Sequence, residues 1–163
     1  MRRILVLLLL VTVLVAAETA ASAPAPAPVT AFRTPNAQWV ELRGGKGRAV
    51  LARRGAININ VRRGRVRVVD LAGGSRPRGK CGRKRAVRVT KYAVEYRGRR
   101  IRCLIYGSGP WQVIMTGRGI NASGRVRGSL TLDGVRFGSG EVRIGDGSFR
   151  SWPGSPRTFI LRR

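Results

Sequence analysis

The chain has 163 residues, of which 33 are lysine or arginine and 7 are aspartate or glutamate, for a formal net charge of +26. Its length suits one domain-sized core behind a short leader. There is no histidine, which removes the commonest general base, the usual serine or cysteine protease dyad and most zinc sites, so neither an enzyme of those kinds nor a metal or other cofactor is expected.

The chain opens on Met1-Arg2-Arg3, runs apolar from Ile4 to Ala17 with only Thr12 interrupting, and continues in small residues. That is the three-part layout of a secretory signal, predicted over 1–17 with cleavage after Ala17 or as late as Ala23. An uncleaved anchor is the alternative, but the apolar run stops at Glu18, short of the roughly 20 residues a membrane span takes. The expected location is therefore secreted or cell-surface. Residues 18–37 read as a linker, because Ala23-Pro24-Ala25-Pro26-Ala27-Pro28 favours extended polyproline geometry.

The body, 38–163, alternates apolar and polar residues with period two, as in Ile57, Ile59 and Val61 against Asn58 and Asn60. Short strands are predicted over 39–43, 48–53, 56–61, 65–71, 86–96, 100–106, 111–116, 125–132, 141–144 and 158–161, with no helix. Gly-x-Gly pairs punctuate them at Gly45/Gly47, Gly107/Gly109, Gly117/Gly119, Gly138/Gly140 and Gly145/Gly147, and are expected to form tight turns or bulges. None leads into a helix, so dinucleotide binding is discarded. Ile57-Asn58 is faintly echoed by Ile120-Asn121, each copy followed by Gly-Arg-Val-Arg, but with unequal gaps. The expected class is all-β, a small β-sandwich or barrel, with a short β-solenoid as the alternative.

Through Gly117-Arg118-Gly119-Ile120-Asn121, the strand-and-turn stretch to Gly147 and the closing Ser151-Trp152-Pro153, the chain resembles uncharacterised secreted basic β-rich proteins of GC-rich actinobacteria. The resemblance implies export and a β-rich fold and carries no activity.

Cys81 and Cys103 are the only cysteines, and in an exported domain they are expected to form a disulfide around a hairpin at Arg97-Gly98-Arg99. Only Lys46, Lys80, Lys84 and Lys91 are lysines; arginine, the dominant cation, grips phosphate, sulfate or carboxylate with a planar two-pronged donor, although a GC-rich genome would produce the same bias. Candidate anion-binding residues are Arg76, Arg78, Lys80, Arg83, Lys84 and Arg85 around Cys81, and Arg63, Arg65 and Arg67, which parity places on one strand face. The acids of the body, Glu41, Asp70, Glu95, Asp133, Glu141 and Asp146, could supply a two-carboxylate hydrolase, but ion pairing and turns explain them as well. Trp39 and Trp111 are expected in the core, and Trp152 is the candidate for an exposed stacking platform. The expected function is an exported, non-catalytic binding or structural module for polyanions: acidic polysaccharide, anionic envelope polymer, anionic lipid or, non-specifically, nucleic acid. A membrane-active cationic protein is the alternative, though no cationic amphipathic helix is visible.

Overall fold

The computed structural model describes residues 37–73, 79–82, 86–136 and 138–162. The leader, nearly all of the linker, and Arg76, Arg78, Arg83, Lys84 and Arg85 lie outside the described residues; of Lys80 only the backbone is described. The described chain is all-β and holds seven strands: β1 (Gln38–Asp70), β2 (Gly79–Lys80), β3 (Arg88–Val89), β4 (Ala93–Gly134), β5 (Glu141–Ile144), β6 (Arg150–Ser151) and β7 (Arg157–Leu161). All belong to one antiparallel sheet.

Of the stretches predicted as short strands, 141–144 and 158–161 are indeed separate strands, β5 and β7, and 86–96 spans β3 and the start of β4, whereas the others are successive legs of the two long strands β1 and β4. Of the glycine pairs, Gly138/Gly140 and Gly145/Gly147 do separate strands, whereas Gly45/Gly47, Gly107/Gly109 and Gly117/Gly119 lie inside them. The hairpin expected at Arg97-Gly98-Arg99 is likewise absent, since β4 runs straight through it. Glycine allows a strand to bend sharply without breaking its ladder, so here it marks corners rather than chain reversals.

The register shows what the corners do. Val50 pairs with Ile114 on one side and Thr131 on the other, while Ile114 pairs with Val50 and Arg67. Stepping sideways across two strands thus carries β1 from Val50 to Arg67 and β4 from Ile114 to Thr131. The two strands are wound together as an antiparallel ribbon that comes back alongside itself. The sheet is coiled and not closed into a barrel. The echo of Ile57-Asn58 by Ile120-Asn121 is no repeat of the coil: those residues occupy adjacent antiparallel legs, with Val61 opposite Ile120 and Asn60 opposite Asn121.

Each leg turns one side inward. On β1 the buried residues come in groups, Val40 and Leu42, then Ala49 and Leu51, then Ile57, Ile59 and Val61, then Val66 and Val68; β4 contributes Ile101, Cys103 and Ile105, then Trp111, Val113 and Met115, then Ile120, Ala122 and Val126, then Leu130 and Leu132. All join one cluster, so the legs face each other across a shared core. Each large side chain there contributes about 1.5–3 kcal/mol of transfer free energy. Parity slips between Val61 and Val66 and between Met115 and Ile120 because the alternation skips a beat at Gly64 and Gly117.

The expected disulfide is present: Cys81 Sγ is bonded to Cys103 Sγ, at a sequence separation of 22. It fastens the segment after β2 to β4, and the closed loop is worth about 3 kcal/mol in the chain-entropy picture.

Candidate functional site

Gly98 pairs with Gly64, Gly64 with Gly117, Gly117 with Gly47 and Gly47 with Gly134, so these glycines stand side by side across the sheet at one corner of the coil. Close approach of the backbones explains the residue type. At Gly117, φ is 138°, and a Cβ there would run into the carbonyl oxygen of Arg63 and meet the Gly64 Cα at 2.8 Å. Gly64 is in the same position against Thr116 and Gly117.

Cations border this row on both sides. One side reads Arg99, Arg63, Arg118, Lys46, each directly opposite the next; the other reads Arg97, Arg65, Thr116, Arg48, Asp133. Like charges directly opposite each other destabilise a sheet by a few tenths of a kcal/mol or more per pair. Arg63, Arg99, Arg118 and Lys46 form no ion pair with any described acid. The result is a shallow furrow of about 620 Å³, floored by Gly47, Gly117 and Gly134 and walled by Lys46, Arg48, Arg63 and Arg118, with Asp133 its single carboxylate. Strands lie about 4.8 Å apart, so the first cation row extends for about 14 Å.

Of the sequence candidates, Arg63, Arg65 and Arg67 are exposed on β1. Arg63 and Arg65 border the furrow on opposite sides of Gly64. Arg67 faces Glu95 instead, a buried carboxylate that has Arg67 opposite on one side, Arg88 on the other, and the Arg97 Nε donating to it at 2.6 Å. All three are exposed, but only Arg63 and Arg65 have cations and no acid as their nearest cross-strand charges. Lys46, Arg48, Arg99 and Arg118 were missed, although a signal for them is present: four of the five glycines of the row are followed or preceded by a cation, as Lys46-Gly47-Arg48, Arg63-Gly64-Arg65, Arg97-Gly98-Arg99 and Gly117-Arg118, the exception being Gly134.

The tryptophans correct the expectation. Trp152 is fully buried, not a surface platform: its ring packs where a Cβ at Gly45 would lie, and its Nε1 donates to the Glu141 carbonyl at 3.1 Å. Trp111 is in the core as expected, and Trp39 is only half-buried.

Two further grooves are present. One lies on the outer face around Asn58, Asn60, Asn121 and Ser123 with Glu41 as its carboxylate, and the other at the next corner of the coil has no acidic residue in its wall. None of the three brings two acids together, and no cluster of three or more potential metal ligands occurs among the described residues. No helix among the described residues is long and apolar enough to cross a membrane. No family model, curated protein or solved structure matches the chain.

Proposed function

We propose that this protein is an exported, non-catalytic module that binds polyanions outside the cytoplasm, using the glycine-floored furrow as its contact surface. The observation that carries the reading is the ladder of Arg99, Arg63, Arg118 and Lys46, cations held opposite one another with no described acid to neutralise them. A sheet that places like charges in register is under repulsion, and an anionic chain laid along the row relieves it. Smooth glycine flooring lets such a chain approach the backbone closely. No tryptophan or tyrosine lines the furrow, which favours recognition by charge over stacking on nucleobases. Export rests on the leader at 1–17, and acidic polysaccharides and anionic envelope polymers are the partners that such a location offers.

The test uses immobilised dextran sulfate with uncharged dextran as control. Retention on the sulfated resin alone is expected, weakening steadily as salt rises because binding releases counterions. The double variant Arg63→Ser/Arg118→Ser should weaken binding at this furrow by about tenfold or more, given roughly 1 kcal/mol per cation facing an anionic surface. Equal retention on both resins, or retention indifferent to salt, would overturn the proposal.

A further inference from the structure

The coil has two corners, and the second is basic as well. Building on the polyanion reading, we infer that the protein carries a second, independent furrow for an acidic polysaccharide on the opposite edge, so that it bridges two anionic chains instead of lining up along one. Following β1, Gly47 lies at the first corner, Gly55 at the second and Gly64 at the first again; Gly55 pairs with Gly107, and a Cβ at Gly128 would run into the Ala52 carbonyl, as at the first corner. Here Arg54 stands directly opposite Arg127, another like-charge pair in register. With Arg53 and Arg162 they wall a groove of about 830 Å³ in which Pro110 and Ile160 supply apolar surface.

Arg53 adds a separate observation. Its φ is 118°, a backbone conformation that side-chain-bearing residues rarely adopt and that glycine takes at the neighbouring corners. A guanidinium is held there despite that strain, beside a wall without a carboxylate. The pyranose faces of a polysaccharide would pack on Pro110 and Ile160 while its charged groups meet the arginines.

Geometry separates the two furrows. One leg of β1, from Gly47 to Gly55, spans about 25 Å at the rise of a strand. Both furrows run across the strands, hence alongside one another, so a stiff chain lying in one points past the other and does not reach it. Two occupied furrows therefore mean two chains, or distant parts of one.

Calorimetric titration of the intact protein with a short dextran sulfate oligomer tests this directly. Two oligomers per protein are expected. Arg54→Gln/Arg127→Gln, checked for native circular dichroism, should lower that to one while changing the affinity of the remaining site by less than about threefold; Arg63→Ser/Arg118→Ser should also leave one. A wild-type stoichiometry of one would remove the second furrow while leaving the proposed function standing, and that result needs no variant to fold. More than two oligomers, undiminished in either variant, would show diffuse charge and overturn the inference equally. Absence of any binding would instead sink the polyanion reading itself.

Discussion

Glu41 sits on the outer face between Arg43 and Arg143. Arg43 donates to it at 2.8 Å through Nε, Arg143 bonds its other oxygen, and the two guanidinium carbons lie 3.9 Å and 4.7 Å from the centre of the Phe149 ring. Burial works to raise its pKa, but the hydrogen bonds and charges of Arg43 and Arg143 outweigh that and hold the carboxyl below the usual carboxylate range. A group whose folded pKa is depressed contributes stability that is present above its unfolded pKa and lost as pH falls through the folded one. Stability should therefore decline as pH falls below the ordinary carboxylate range, and Glu41→Gln should flatten that decline. At neutral pH the same substitution should cost about 1 kcal/mol or less, because Arg43 and Arg143 are exposed enough for water to screen the charges that lose their anion. Thermal unfolding of both proteins across this pH range is the measurement; parallel curves would show that Glu41 is not the group responsible.

Glycine corners turn two strands into a coil, and their cost of substitution should depend on what lies opposite. Gly117→Ala puts a methyl group against the Arg63 carbonyl at a φ that alanine avoids, and should destabilise by 3 kcal/mol or more, about the level of a strongly disruptive core change. Gly109, also inside β4, has nothing within 4 Å of a built Cβ, and Gly109→Ala should be nearly neutral. Denaturant unfolding of the two variants side by side decides; equal losses would mean that glycine acts here through chain entropy and not through close approach. The same contrast explains what could be read from the sequence. Local alternation, as at Ile57, Ile59 and Val61, is a property of a leg and was visible. That Gly64 bends a strand while Gly145 ends one depends on which backbone approaches it, and that is decided by partners far away in the chain. Trp152 was misplaced for a similar reason: next to Pro153 it looks like a turn residue, and only Gly45, more than a hundred residues earlier, makes room for its ring. The cationic furrow was half legible, since Arg63 and Arg65 were singled out by parity, but alignment with Arg99, Arg118 and Lys46 needed the register.

A molecule with 33 lysines and arginines against 7 acids, where the described residues pair Glu41 with Arg43 and Arg143 and Glu95 with Arg97, has repulsion as its dominant electrostatic term. The coil sharpens this by setting Arg99, Arg63, Arg118 and Lys46 in one row and Arg54 against Arg127 in another, where neighbouring strands fix the charges well within a Debye length at physiological salt. Proteins held together by surface ion pairs lose stability when salt is added; this one should gain it. Raising sodium chloride from about 0.01 M to 0.15 M shortens the screening length from about 30 Å to about 8 Å, and the thermal midpoint should climb, by about 4 °C for each kcal/mol of repulsion relieved. Dextran sulfate should produce the same rise at a far lower concentration of anionic groups, because a chain seated along the rows brings its charges to the guanidiniums by binding and not by diffuse screening. A midpoint that falls with salt would show that the rows are neutralised within the fold, and would take away the physical reason for a polyanion to bind there.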